Sequence, residues 1–87
     1  MPHHVDIKSS ALRELADLTT RDRQRVDAAI LMLADEPRPR GCRKMAGAGD
    51  FFRIRVGRFR VVYEVDDARL VVPVGKVGPR REVYRRR

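Results

Sequence analysis

The chain opens with an alternation of apolar and polar residues and then changes to helical spacing. Residues 5–8 alternate as a short strand does, and Ser9 and Ser10 offer an N-cap for a helix after it. The apolar residues that follow recur every three or four positions, as on one face of a helix. They are Leu12, Leu15, Ala16 and Leu18. The pattern predicts a strand followed by an amphipathic helix.

A second amphipathic helix is predicted directly after the first. Thr19 and Asp22 stand at the spacing of a loose capping box, which restarts helical structure. Pro37 and Pro39 end this helix, because proline cannot continue one. Its apolar face comprises Val26, Ala29, Ile30 and Leu33. We therefore expect a two-helix hairpin packed against a sheet.

Strand signals begin after a predicted loop. Residues 37–50 contain glycines among charged residues and show little periodicity, as in a loop. Over residues 52–56, apolar residues alternate with two arginines, which is the period of a strand. Gly57 and Arg58 suit a two-residue hairpin turn with glycine first. Residues 59–65 are then predicted to return as the second strand.

A second turn at residues 66–69 leads to a third predicted strand. Its apolar positions are Leu70, Val72 and Val74. Pro73 lies inside this strand, although proline is normally confined to strand edges or bulges. Residues 1–87 should form a single α+β domain: an N-terminal strand, a two-helix hairpin on an antiparallel sheet of three or four strands, and a short basic C-terminal tail.

Charge is distributed unevenly along the 87 residues, which carry a formal charge of +8. Residues 1–36 contain 5 Lys/Arg against 7 Asp/Glu, whereas residues 37–87 contain 15 against 5, a net charge of +10. So dense a basic region favours polyanions, and nucleic acid is the leading class of partner. The basic residues alternate with apolar ones at strand spacing, which disfavours a membrane surface.

Cysteine and histidine usage bears on compartment and metal binding. Cys42 is the only cysteine, so no internal disulfide can form, and no apolar signal-peptide stretch follows the N-terminus. These features predict a cytoplasmic protein. His3 and His4 are adjacent on a predicted strand and should point to opposite faces, so they cannot bind one metal together. We expect no metal and no cofactor.

The predicted hairpin places two arginines against each other. With the turn at Gly57, Arg55 lies opposite Arg60, on the same face as Arg53 and away from the apolar residues. Like charges directly opposite destabilise a sheet by roughly a few tenths of a kcal/mol, and an anionic ligand would remove this penalty. A solvated sheet face is the alternative interpretation.

Two segments carry a pattern that resembles the RelE family of toxins. They are Phe52-Arg53-Ile54-Arg55-Val56 with Gly57 and Arg60-Val61-Val62-Tyr63, and Val77-Gly78 with Arg80 and Glu82-Val83-Tyr84. The order of predicted elements is similar too, so the resemblance covers nearly the whole chain. It implies metal-independent cleavage of messenger RNA in the ribosomal A site. In that reaction the 2′-hydroxyl of the message attacks the adjacent phosphate and leaves a 2′,3′-cyclic phosphate.

The resemblance implies five catalytic residues: Arg53, Arg55, Arg60, Arg80 and Tyr84. Arg60 and Arg80 would bind phosphate oxygens and stabilise transition-state charge. Tyr84 would stack on a base, orient the nucleophile or exchange a proton. The best-known members carry lysine where this chain has Arg53 and Arg55. Since the pKa of arginine exceeds about 12, neither is a general base, and we expect electrostatic roles for both.

Further contacts and partners are also expected. Other basic residues should bind the RNA, namely Lys44, Arg58, Lys76, Arg81 and Arg85. The resemblance implies a cognate antitoxin, and an acidic, partly disordered segment of it would suit the basic region at residues 37–87. It also implies messenger RNA in the ribosomal A site as substrate, promoter DNA contacted only through the toxin–antitoxin complex, and no membrane partner.

Two other functions stay open. Toxins of the ParE type are similar overall but inhibit DNA gyrase by binding it, without cleaving RNA. Those relatives generally lack the arginine and tyrosine constellation that this sequence carries, which favours the RelE type. A plain RNA-binding module would bind RNA in a salt-sensitive way and cleave nothing.

Overall fold

The structure, a computed structural model, describes residues 2–47 and 49–79. Two helices and five strands follow one another in these residues. They are β1 (His4–Ile7), α1 (Ser9–Ala16), α2 (Thr20–Met32), β2 (Arg43–Lys44), β3 (Phe51–Val56), β4 (Phe59–Glu64) and β5 (Val71–Pro79). The predicted α+β class, with an N-terminal strand and two consecutive helices, is confirmed.

The strands form one sheet in the order β1-β5-β4-β3-β2. β3 and β4 pair antiparallel, and Arg55 lies opposite Arg60 as predicted. Gly57 begins the turn between them with φ +60°, a conformation that glycine adopts without the steric penalty of a Cβ. The glycine-first hairpin at Gly57 and Arg58 is confirmed.

Both helices pack on the same face of the sheet. Leu15 of α1 and Ile30 of α2 are buried, with α1 lying over β5 and α2 contacting β3. The buried residues of the sheet that complete this core are Phe52, Ile54, Phe59, Val61, Tyr63, Val65, Val72, Val74 and Val77. Burying one large apolar side chain contributes roughly 1.5–3 kcal/mol. This shared core fixes which face of the hairpin is left for its arginines.

The two helices begin in different ways. Thr19 caps α2 as predicted, since its Oγ1 accepts a hydrogen bond from the Asp22 N–H at 3.2 Å. α1 begins at Ser9, and its N-cap residue Lys8 makes no capping hydrogen bond through its side chain. The predicted cap at Ser9 or Ser10 is therefore wrong. The Ser10 hydroxyl instead donates to a backbone carbonyl of β5.

The sheet is larger than the predicted three or four antiparallel strands, and it is mixed. β1 pairs parallel with β5, and β2 forms a two-residue edge strand inside the predicted loop. β5 extends to Pro79, into the predicted tail. Leu70 lies outside β5 with φ +58° and is 37% exposed, so its predicted place in the apolar face of that strand is wrong.

Pro73 lies inside β5 although strands flank it on both sides. Lys8 N–H donates to the Val74 carbonyl, so residue 74 faces β1 and the adjacent Pro73 faces β4. The pairing of β4 with β5 shifts register between Val62 and Tyr63, next to this position. Proline has no N–H to donate to β4, and the irregular pairing lies next to the position where that donor is missing, as is usual for proline within a sheet.

Helix α1 covers the edge of β5 beyond the end of β1. The Ser10 hydroxyl donates to the Gly75 carbonyl at 2.8 Å, and Glu14 Oε1 accepts the Val77 N–H at 2.7 Å. Glu14 Oε2 accepts a further hydrogen bond from Lys76 Nζ at 3.0 Å. Side chains one helical turn apart thus bind backbone groups that a neighbouring strand would otherwise pair.

Candidate nucleic-acid interface

The face of the sheet opposite the helices carries a cluster of arginines. Residues that pair directly across strands share a face. Arg43 of β2 lies opposite Arg53 of β3, and Arg55 of β3 lies opposite Arg60 of β4. We call these four residues the arginine face. Neighbouring strands are about 4.8 Å apart, so the four side chains extend from one compact surface.

Arg55 and Arg60 form the hairpin end of the arginine face. Arg55 is exposed and Arg60 is half-buried. The Nε of Arg60 is buried and makes no hydrogen bond within the described part of the chain. Directly opposite residues have Cβ atoms about 4.5–5.5 Å apart, so both guanidinium groups can reach one phosphate.

At the end of the β3–β4 pair away from the hairpin turn, this side of the sheet carries one aromatic residue and one carboxylate. Phe51 begins β3 and lies opposite Glu64 at the end of β4. The Phe51 side chain is 42% exposed. At about 3.4 Å per residue, Phe51 stands roughly 14 Å along the strand from Arg55. The carboxylate is thus separated from the Arg55–Arg60 pair.

Two predicted RNA-binding lysines occupy the edges of the sheet. Lys44 pairs with Phe52, so it lies on the helix side and not on the arginine face. Lys76 pairs with Val62 and shares the side of the arginines, but its amine forms a 3.0 Å ion pair with Glu14. The structure therefore places neither lysine beside the Arg55–Arg60 pair.

Arg58, also predicted to bind RNA, is directed toward the helix layer. Its guanidinium carbon lies 5.6 Å from the centre of the Phe59 ring, and its Nη2 is 3.6 Å from a carboxylate oxygen of Asp22 in α2. Because Phe59 belongs to the core, Arg58 lies apart from the arginine face.

The remaining predicted site residues lie outside the described residues. They are Arg80, Arg81, Tyr84 and Arg85. The other tyrosine of the chain, Tyr63, is buried on the helix side, and its hydroxyl donates to the Pro37 carbonyl at 2.8 Å. Burial, with the neighbouring Cys42, raises the pKa of Tyr63, which keeps it protonated as a donor. Tyr63 therefore holds the loop after α2.

Sequence reasoning missed two residues on the arginine side of the sheet, Arg43 and Phe51. Arg43 belongs to a strand of two residues, which is too short to leave a period-two pattern. Phe51 lies one residue before Phe52, at which the predicted strand begins, so the pattern did not include it. The signal that could have found Phe51 is its even spacing from Arg53, which places both on one face.

His3 and Arg38 both contact the carboxylate of Asp67. His3 Nε2 lies 3.0 Å from Asp67 Oδ1, and Arg38 donates to Asp67 Oδ2 at 2.8 Å. Arg38, followed by His3, holds the pKa of Asp67 below its usual range. Residues 2–47 and 49–79 contain no group of three or more His, Cys, Asp or Glu side chains arranged to hold a metal ion.

Neither helix in the described part of the chain has the length and apolar character needed to span a membrane.

The sequence matches a known family of toxins over most of its length. A family model described as ParE toxin of type II toxin-antitoxin system, parDE, matches residues 5–84. The chain belongs to the RelE/ParE toxin superfamily. The match spans the whole arginine face and continues into the C-terminal segment.

Solved RelE structures share the fold of this RelE/ParE toxin. The archaeal RelE–RelB complex from Pyrococcus horikoshii matches with a TM-score of 0.82 and 30% identity, over 92% of this chain and 97% of that chain. The isolated RelE toxin of E. coli matches with a TM-score of 0.78 and 30% identity, over 94% and 90% of the two chains. Toxin RelE1 of Methanocaldococcus jannaschii is 28% identical over an alignment of 89 positions that covers 98% of each chain.

Proposed function

We propose that this protein is a ribosome-dependent messenger RNA endonuclease of the RelE type. The observation that carries the proposal is Arg55 directly opposite Arg60, with Arg53 on the same face of β3. Guanidinium groups on one face of a sheet suit the oxygens of a phosphodiester, which they can bind bidentately. Similarity to solved RelE toxins over nearly the whole chain supports the same reaction.

In the proposed reaction, the 2′-hydroxyl of the message attacks the adjacent phosphate. The 2′-O–P bond forms and the P–O5′ bond breaks, leaving a 2′,3′-cyclic phosphate and a 5′-hydroxyl. One proton leaves the 2′-hydroxyl and another is delivered to O5′. Arg60, with Arg80 of the tail, binds the non-bridging oxygens and stabilises the charge that develops on them, a contribution that is often the largest in such reactions.

Proton transfer requires a group other than the strand arginines. Arg53 and Arg55 carry guanidinium groups, which do not serve as general bases in proteins. They favour the 2′-oxyanion electrostatically, and Tyr84 is the proposed residue for proton exchange. The proposal needs no metal and no cofactor.

Outer contacts complete the proposed RNA site. Arg43 adds a guanidinium beside Arg53. Basic residues at the sheet edges, at the hairpin turn and in the tail would bind flanking RNA. These are Lys44, Arg58, Lys76, Arg81 and Arg85.

We propose a cognate antitoxin as the protein partner. The related RelE toxins of Pyrococcus horikoshii and E. coli have been solved in complexes with RelB antitoxins. An acidic segment would suit the net charge of +10 at residues 37–87. Promoter DNA is contacted only through the complex, and the single domain at residues 1–87 acts in the cytoplasm, where its ribosomal substrate is found.

The test maps new RNA 5′ ends after induction of the protein alone, on a translated message and on the same message without a start codon. Arg60→Ala should reduce cutting by about 10²–10³-fold, the usual loss for one transition-state donor, and Arg80→Ala and Tyr84→Ala should also reduce it. Arg40→Ala removes an exposed loop charge and should cut like the wild type. Cuts that do not depend on translation would contradict the requirement for the ribosome. Undiminished cutting by Arg60→Ala would contradict a catalytic role for the arginine face.

The family description favours one second function, inhibition of DNA gyrase, because the matching model is named for ParE. A gyrase inhibitor would need a surface that binds gyrase but would not need arginine and tyrosine side chains that cleave RNA. Purified gyrase should keep its supercoiling activity in the presence of this protein. Inhibited supercoiling together with no new RNA 5′ ends would replace the nuclease proposal.

A further inference from the structure

A cleft of about 290 Å³ lies at the tip of the β3–β4 hairpin, on the helix side of the sheet. We call it the hairpin-tip cleft. Its lining residues come from α2 and the hairpin, and they are Asp22, Arg25, Val26, Val56, Arg58 and Phe59. Pockets for drug-sized ligands span about 300–1,000 Å³, so this one suits a single side chain better than a cofactor.

The cleft has an apolar floor. Val26 and Phe59 belong to the buried core, and Val56 is half-buried against it. Val26 is fully buried and the Phe59 ring lies under Arg58, so the apolar surface left open at the hairpin tip is that of Val56. A ligand would thus gain affinity by bringing an aliphatic or aromatic group.

The rim of the cleft is basic. The guanidinium of Arg25 reaches the hairpin tip because Gly57 has no side chain: its Nη2 lies 3.2 Å from the point where a Cβ would stand. Arg21 precedes Arg25 by one helical turn and lies on the same side of α2. Asp22, 3.6 Å from Arg58, is the carboxylate that lines the cleft. Two arginines, Arg25 and Arg58, and one carboxylate, Asp22, line the cleft, which leaves its rim positively charged.

We propose that the hairpin-tip cleft binds an acidic peptide segment of the antitoxin, with one apolar side chain in the cleft and its carboxylates on Arg25 and Arg58. The inference rests on the proposed antitoxin partner. A peptide supplies both chemistries that the cleft offers. RNA supplies phosphates, but its bases bind by stacking on flat groups, and the Phe59 ring is already covered by Arg58. The cleft also lies on the other side of the sheet from the arginine face.

The experiment measures the affinity of the full-length toxin for the protein encoded by the adjacent open reading frame. Arg25→Ala should weaken binding by about tenfold or more, as expected for loss of a charge-assisted hydrogen bond. Val56→Thr keeps the side-chain shape but makes the floor more polar, and should weaken binding several-fold. Arg23→Ala is the matched control, because residue 23 points about 200° away from residue 25 around the helix, and its affinity should not change. Thermal melts establish that each variant folds.

Each outcome decides a different question. Binding that is unchanged in both Arg25→Ala and Val56→Thr overturns the inference but leaves the antitoxin intact. If the wild-type toxin does not bind the protein encoded by the adjacent open reading frame, both the proposed antitoxin partner and this inference are overturned. The mapping of RNA 5′ ends still tests the nuclease activity separately. If Arg25→Ala lowers RNA cleavage without the partner and leaves partner affinity unchanged, the occupant is RNA and the peptide assignment is wrong.

Discussion

At the residue scale, Phe51 places an exposed aromatic ring on the same side of the sheet as the arginines. It stands roughly 14 Å from Arg55 along the strand, far enough to meet a base that flanks the bound phosphate. Stacking on an aromatic side chain contributes about 1–3 kcal/mol per base. We expect Phe51→Ala to raise the KM for ribosomal cleavage by about tenfold with little change in kcat, and Phe51→Tyr to restore it.

Single-turnover and steady-state cleavage on programmed ribosomes measure this effect. Leu12→Ala is the control, because Leu12 is an exposed apolar residue on α1, away from the arginine face. An equal rise in KM for both variants would contradict a stacking role for Phe51.

Asp67 gives a second prediction at this scale, a dependence of stability on pH. Arg38 first, and then His3, lower the pKa of Asp67 in the folded protein. A lowered pKa contributes stability that is present above the ordinary aspartate pKa and is lost as pH falls through the folded value. Asp67→Asn should therefore lower Tm slightly at pH 6, and the difference from wild type should disappear at pH 2–3.

Melting curves across that range check the sign. Because Asp67 is exposed, the effect should also shrink in high salt. A difference in Tm that is larger at pH 3 than at pH 6 would contradict the assigned cause.

At the scale of elements, Glu14 joins α1 to the edge of β5. Its carboxylate accepts the backbone N–H of Val77 at 2.7 Å, and removal of the side chain leaves that donor without its partner. Glu14→Ala should destabilise the fold by about 1–2 kcal/mol, or roughly 4–8 °C in Tm per kcal/mol for a domain of this size. Lys76→Ala breaks only the exposed ion pair and should cost less. Equal losses in denaturant melts would show that the backbone hydrogen bond contributes little.

The predictable elements are those with local signals. A period of two on each side of Gly57 fixes the β3–β4 register, and with it the pairing of Arg55 with Arg60. Thr19 marks the start of α2 through a hydrogen bond within four residues. Local patterns of this kind sufficed for the two helices, the hairpin and three of the four members of the arginine face.

The elements that escaped prediction depend on distant partners. β1 pairs with a strand almost seventy residues later in the sequence, and no local pattern records the parallel direction of that pairing. β2 is defined by its bonds to β3 and not by its own two residues. Arg58 looked like a member of the basic face, but Asp22 and Phe59 direct it toward the helix layer. Only tertiary contacts decide such positions.

At the scale of the whole molecule, the β3–β4 hairpin separates two proposed binding surfaces. The arginine face lies on one side of the sheet, and the hairpin-tip cleft lies on the helix side. An antitoxin anchored in the cleft would leave its remaining length available to cross the tip and cover the arginines. RNA could then compete with the antitoxin for the arginine face while the antitoxin stays bound in the hairpin-tip cleft.

The charge of the arginine face should make RNA binding depend on salt. Binding to single-stranded RNA releases counterions, so log Kd should rise linearly with log salt concentration, by about 0.7 per phosphate contacted. Arg43→Ala removes one contact beside Arg53 and should reduce the slope by about 0.7, whereas Arg40→Ala should leave it unchanged. Both slopes are measured by titrating a non-cleavable 2′-O-methyl RNA at about 50–300 mM KCl, the range in which counterion release dominates. An unchanged slope in Arg43→Ala would show that the RNA path ends at Arg53 and does not reach the edge strand.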